Sequence, residues 1–262
     1  MHLLVWILLF SLLGSVLSLL AAASFLLLPE RRRTALLPHF VSFAVGALLG
    51  AAFLALLPHA LAAPSVNNYH ALMAAVLSAL LAFFLLERLV VWRHCHADGC
   101  EAHAPHDAVQ RGRDQTTAGM IVLGDGLHNF VDGVLIAAAF LTDIELGIVT
   151  SIAVATHEIP QEVGDFAILL HSGLSRKRAL LLNLAASVTT LAGAVLGYYG
   201  LAESDEVVPY VLAVAAASFI YVAVADLIPG LHRRVTPGAT VQQVVLILLG
   251  VALIAGSHAL MH

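Results

Sequence analysis

Apolar residues in this chain neither recur with the period of an amphipathic helix nor alternate as in a half-buried strand; they run on without a break. Eight such runs fall near residues 3–28, 39–63, 69–92, 117–141, 146–171, 179–200, 208–230 and 241–260. Each is long enough to cross a bilayer, which takes about 20 residues of helix. The polar positions gather in short connections, which leaves almost no chain for a soluble domain. The pattern predicts an all-α polytopic membrane protein of eight transmembrane helices, residues 1–262 forming one domain. Composition agrees: 60% of residues are hydrophobic and 11% charged, where a soluble chain carries about 25% charged.

Charge sets an expected orientation. The twelve Lys and Arg cluster between runs one and two (Arg31, Arg32, Arg33), three and four (Arg88, Arg93, Arg111, Arg113), five and six (Arg176, Lys177, Arg178), and seven and eight (Arg233, Arg234). The alternate connections, "APSVNNYH", "LTDIE" and "AESDEVVP", have none. Cytosolic loops are enriched in Lys and Arg, so both termini are expected outside. The first run has no basic segment ahead of it and is too long for a secretory leader; it is expected to stay as a span. The basic residues thus mark topology, and no nucleic-acid partner is expected.

Two runs look like copies. Pro38 and Pro58 bracket the second run with nineteen residues between them, and Pro209 and Pro229 bracket the seventh with the same gap. Aligned on the prolines, "ALLP" meets "DLIP" and Ala55 falls opposite Asp226. The two runs cross in opposite directions, so the copies would be inverted, as in transporters built around a midplane site. This predicts a 3+2+3 arrangement, spans one to three repeated as six to eight. The stretch 94–116 has no apolar period and is expected to be a flexible cytosolic loop.

The central pair of runs carries the chemistry. Asp125, His128, Asn129 and Asp132 stand at i, i+3, i+4 and i+7, one face of a helix. In the next run His157 and Gln161 are i, i+4, with Glu158, Glu162 and Asp165 on the adjoining face. An acid at mid-membrane costs about 2.5–3.5 kcal/mol, and several cost roughly 10 kcal/mol unless something binds them. Ligand pairs facing each other from two helices are how bundles build metal sites. Imidazole, carboxylate and amide without thiolate suit Zn²⁺, Fe²⁺, Mn²⁺ or Co²⁺. A buried proton relay, or a polar network that only ties two helices together, is the alternative the residues leave open.

With "HNFVDG" at 128–133 and "HEIPQE" at 157–162, the chain resembles the ZIP (zinc- and iron-transporting) metal transporters, in the branch with HNFxDG and HEIPHE motifs. The resemblance covers essentially the whole chain. It implies a divalent-metal transporter and not an enzyme: Zn²⁺ first, with Fe²⁺, Mn²⁺ and Cd²⁺ as further candidates, carried across the inner (plasma) membrane of a bacterial cell toward the cytoplasm. It implies a binuclear site of His128, Asn129, Asp132, His157, Glu158 and Gln161. It also implies elevator-like movement of spans one, four, five and six against two, three, seven and eight, commonly as a homodimer in the lipid bilayer. Two departures stand out. Gln161 replaces the branch's usual His, and Ala51 and Ala55 stand where many relatives have Asp and His.

Secondary candidates are Asp125, Glu162, Asp165 and Asp226 as further ligands or pathway groups. His94, Cys95, His96, Cys100, His103 and His106 in the cytosolic stretch could capture or sense metal. Two rivals remain. An intramembrane zinc protease would use "HEIPQE" as H-E-x-x-H, but Gln161 replaces the second His. A proton-coupled carrier of a small organic substrate would need fewer imidazoles.

Overall fold

A computed structural model describes residues 2–96, 106–232 and 236–261. Every regular element among the described residues is helical, and they make eight long helices: α1 Leu3–Leu26, α2 (residues 30–62), α3 Tyr69–His96, α4 His106–Thr142, α5 Ile144–His171, α6 Arg176–Leu201, α7 (residues 208–231) and α8 Pro237–Met261. Seven contain stretches long and apolar enough to cross a membrane. The eighth, α5, is 28 residues long but carries Glu145, Glu158, Glu162 and Asp165. It is long enough to span and too polar to be recognised by apolarity alone. Its acids face inward instead, with Glu158 and Glu162 each 2% exposed.

Helix α3 runs on to His96 and α4 starts at His106, so both ends of the stretch expected as a loop are helical. Ala, Gln and Arg in "HDAVQRGRDQ" extend a helix readily, which an apolar period does not register. Cys100 and His103 lie outside the described residues, as do the side chains of His94, Cys95, His96 and His106.

Helices α2 and α7 share an irregularity. Each is α-helical, then passes through six residues of π-helix, Ala51–Leu56 and Val222–Leu227, then resumes as α-helix. Each π segment ends two residues before a proline, Pro58 or Pro229. Proline's ring clashes with the carbonyl four residues back and offers no N–H, and wider i→i+5 turns relieve both faults. The Leu57 N–H accordingly bonds the Ala52 carbonyl, and the Ile228 N–H bonds the Ala223 carbonyl. The two copies thus share their defect at the same offset from the proline.

The helices sort into two packing groups. Helix α4 packs most closely on α6, with α1 lying against α5 and α6, while α2 packs on α8 and α7, and α3 on α7. The groups meet chiefly where α5 crosses α2 and α4 crosses α7. Glycines permit the tightest crossings inside each group. A Cβ at Gly133 of α4 would strike the Thr190 carbonyl of α6, and one at Gly193 would strike the Phe130 carbonyl, so the contact is reciprocal. Gly46 against Ile247 and Gly250 against Phe43 do the same for α2 and α8. Small residues allow this approach where hydrocarbon gives no drive to associate.

Alternate connections come together at opposite ends of the bundle. Arg33, Arg176 and Lys177 line one groove, whereas Ser65 Oγ donates to the Asp205 carbonyl at 2.9 Å.

Candidate metal centre

A single residue, Asp143, separates α4 from α5. Its carboxylate accepts from the N–H groups of Glu145 (2.7 Å) and Leu146 (3.3 Å), which caps α5 and satisfies donors that a helix start leaves free. A hinge this short fixes the register of the hairpin. His128 lies fifteen residues before Asp143 and His157 fourteen after, about 21–23 Å along either arm at 1.5 Å per residue. They arrive at the same depth.

There they meet Asp132. Its Oδ2 is 3.4 Å from His128 Nε2 and 3.2 Å from His157 Nε2, and the two Nε2 atoms are 3.2 Å apart. Zinc binds imidazole nitrogen and carboxylate oxygen at about 2.0–2.2 Å, which places tetrahedral ligand atoms about 3.3–3.5 Å from one another. The triangle has that size. Among the described residues, these are the one group of three or more His, Cys, Asp or Glu whose ligand atoms all lie within 4.8 Å of one another.

Hydrogen bonding has prepared the ligands. His157 Nδ1 lies 3.1 Å from the Ala153 carbonyl; donating there leaves the Nε2 lone pair turned toward Asp132. Asp132 is fully buried; its Oδ2 faces only the two imidazoles, and its Oδ1 has no hydrogen-bond partner. A buried carboxylate without donors is costly, and a bound cation would offset that cost. His157 also packs edge-on against Phe219 of α7 at 5.8 Å between ring centroids.

The other expected ligands are placed differently. Asn129 gives its Nδ2 to the Asp125 carbonyl (3.0 Å) and Asp125 Oδ1 (2.8 Å), and its Oδ1 accepts from Thr190 Oγ1 at 3.3 Å. Gln161 Nε2 donates to Asp125 Oδ1 at 3.4 Å. Glu158 Oε2 accepts from Ser18 Oγ of α1 at 2.9 Å, while its buried Oε1 has no partner. Glu162 is held by α6, accepting from Asn183 Nδ2 at 2.6 Å and Ser187 Oγ at 2.8 Å. Asp165 is half-buried and faces the charges of Asp125 and Glu162.

Four of these partners, Ser18, Asn183, Ser187 and Thr190, were not picked out in the sequence. Their spacing could have found them. Ser11, Ser15 and Ser18 on α1, and Asn183, Ser187 and Thr190 on α6, each stand at i, i+4 and i+7, and all six are buried.

A cavity of about 460 Å³ reaches the centre from one end. His128, His157, Pro160 and Gln161 line its inner part, and Asp226, Leu37 and Leu86 line it nearer the Arg-bearing end. Toward the other end lie Leu135, Ile136, Val149, Leu212 and Phe219, none more than 2% exposed. The centre is thus open on one side and closed by packed hydrocarbon on the other.

Known proteins are similar to this chain. The profile of a family described as "ZIP Zinc transporter" matches residues 92–258. Zinc transporter ZIP4 of Homo sapiens is 49% identical over 116 residues, which is 44% of this chain and 18% of that protein. Zinc transporter foi of Drosophila melanogaster is 43% identical over 127 residues, 48% of this chain and 17% of its own length. The likeness to zinc transporter ZIP13 of Pongo abelii runs further, 31% identical over 229 residues, or 82% of this chain and 65% of that protein. The chain therefore spans less than a fifth of ZIP4 and about two thirds of ZIP13.

Proposed function

This chain belongs to the ZIP zinc-transporter family, and from that premise we propose that it carries Zn²⁺ through a membrane by way of the centre between α4 and α5. The observation that carries the proposal is the triangle of His128 Nε2, His157 Nε2 and Asp132 Oδ2, 3.2–3.4 Å on a side, with Asp132 and His157 buried and His128 facing the cavity. Two imidazoles and one carboxylate bind zinc without the grip of a thiolate site, which suits an ion that must leave again. Fe²⁺, Mn²⁺ and Cd²⁺ are weaker candidates for the same ligands.

A second ion beside the first is part of the proposal. Glu158 Oε1 and Asp132 Oδ1 are both buried without a hydrogen bond, and both belong to side chains that could bridge. Asn129 would offer its Oδ1 only after releasing Thr190, whereas Gln161 would offer its Oε1 while Nε2 donates to Asp125. Asp226 and the acids Asp125, Glu162 and Asp165 would attract the ion along the open side. Movement would be of α1, α4, α5 and α6 together against the other four helices, a division the packing groups favour. Import toward the cytoplasm of a bacterial cell, across its inner membrane, completes the proposal; the Lys and Arg alternation supports the placing of both termini outside.

The rivals draw no support from the relatives, which are transporters and not enzymes. In a protease the second metal-binding His would sit at 161; here Gln161 is engaged with Asp125. The deciding experiment is Zn²⁺ uptake by the purified protein in liposomes, with Mn²⁺, Fe²⁺ and Cd²⁺ as competitors. Saturable uptake that Asp132→Ala abolishes is expected. Uptake equal to that of empty liposomes would overturn the proposal.

A further inference from the structure

We propose that a groove between α1, α2, α5 and α6 binds the phosphate headgroup of one anionic phospholipid from the cytosolic leaflet. The groove holds about 290 Å³. Arg33 of α2 and Arg176 and Lys177 of α6 supply its cations; Leu27, Phe166 and Leu170 supply apolar wall. Three cations over a hydrocarbon wall are complementary to a phosphate joined to acyl chains. A soluble anion would have no use for the wall.

Three further observations favour an anion here. Arg33 Nε is buried and has no hydrogen-bond partner. Among the described residues, no carboxylate forms an ion pair with Arg33, Arg176 or Lys177. And α6 carries three successive cations in its first turn, Arg176–Arg178, with no acid there, while α2 carries Arg31–Arg33 after Glu30, each at the end where the helix macrodipole is already positive. The start of α6 is left electrostatically unfavourable unless a negative charge approaches. Topology alone accounts for cations in these connections. It requires neither a concave site nor a buried, unpaired guanidinium nitrogen.

The position has a consequence. Arg33 belongs to the group of α2, α3, α7 and α8, while Arg176 and Lys177 belong to the other group. One phosphate held by all three would tie the groups together at this end of the bundle. The choice of leaflet rests on the orientation proposed above; the binding itself does not depend on metal transport.

The test is native mass spectrometry of the full-length protein in detergent with EDTA present. Phosphatidylglycerol, phosphatidylcholine of the same chains and inorganic phosphate are added in separate arms. One retained phosphatidylglycerol is expected, with phosphatidylcholine retained at least tenfold less and inorganic phosphate not at all. Arg33→Gln and Lys177→Gln should each weaken retention roughly fivefold, and the triple neutralisation with Arg176→Gln roughly a hundredfold. Ala23→Phe fills the groove with every charge kept, so it should also abolish retention. Arg31→Gln, at a residue that does not line the groove, should leave retention unchanged, and helical circular dichroism confirms that each variant is folded. Equal retention of the two lipids, or wild-type retention by folded Arg33→Gln and Ala23→Phe, overturns the proposal. So does retention of inorganic phosphate in place of lipid. Because no metal is present, failure here is separate from failure of the transport proposal.

Discussion

Asp125 and Gln161 stand eighteen residues to either side of Asp143, and they meet, Gln161 Nε2 donating to Asp125 Oδ1 at 3.4 Å. The pairing follows from the one-residue hinge, which sets equal distances on the two arms side by side. It also gives Gln161 a task other than metal binding in this conformation. Gln161→Ala should therefore be mild, lowering Zn²⁺ affinity by less than about tenfold, or 1.4 kcal/mol. Gln161→His offers an imidazole one turn from His157 and should tighten Zn²⁺ binding by about tenfold, and sharpen the preference over Mn²⁺. Calorimetric titration of both variants checks this. Unchanged affinity and selectivity in Gln161→His, with loss of both in His157→Ala, would remove position 161 from the ion's reach.

Asp132 carries a prediction of opposite signs. Its carboxylate is buried beside two imidazole nitrogens and no other donor; with His157 Nδ1 donating to Ala153, the metal-free protein should lose no stability, and gain some, when the carboxylate becomes the neutral isostere in Asp132→Asn. Zinc should then stabilise the variant far less. At a hundred times the dissociation constant a ligand adds about 2.7 kcal/mol to the folded state, and most of that shift should vanish. Thermal unfolding in detergent with EDTA, and again with Zn²⁺, measures both. A variant less stable without metal, yet fully stabilised by it, would contradict the role given to Asp132.

The glycine crossing of α4 and α6 predicts a stability effect unconnected with metal. Gly133→Ala or Gly193→Ala puts a methyl group into a facing main-chain carbonyl, and overpacking of this kind costs about 1–3 kcal/mol. Gly164→Ala, with nothing within 4 Å of the added carbon, should be neutral or slightly stabilising. Melting temperatures of the three variants should order accordingly; equal values would mean the crossing yields more easily than its geometry implies.

Orientation is tested by labelling. Ser204 lies at the end where Ser65 bonds Asp205, and Ser175 begins α6 beside Arg176 and Lys177. In intact cells Ser204→Cys should react with an impermeant thiol reagent and Ser175→Cys should not, in a background with Cys95 and Cys100 replaced. The reverse result would turn the protein over in the membrane.

Helices and their order were legible because hydrocarbon imposes one requirement on every span. Even α5 could be read, since its polar residues fall on limited faces of an otherwise apolar run. Helical spacing put His128, Asp132 and His157 among six expected ligands on two facing helices and did not single these three out. Spacing assigns a face, however, and does not say which neighbour a side chain on that face will bond. Asn129 and Gln161 share faces with the triangle and Glu158 and Glu162 stand on the adjoining one, but they are engaged by Thr190, Asp125, Ser18, Asn183 and Ser187, partners that come from tertiary contact. The π segments were visible only as a repeated proline interval, because a change of hydrogen-bond register leaves apolar composition untouched.

The reciprocal glycine contacts have a mechanical meaning. Main-chain atoms of α4 and α6 interlock at Gly133 and Gly193, and those of α2 and α8 at Gly46 and Gly250. Among the described glycines, none brings backbone so close across the boundary between the two packing groups. Each half is welded along its own crossing. Where the halves face each other, no described glycine makes such a contact, so a movement of one block past the other would not have to drive a glycine backbone past a facing carbonyl. The resistance that these glycine interlocks would offer to sliding lies inside each block and not along the seam that passes beside His157.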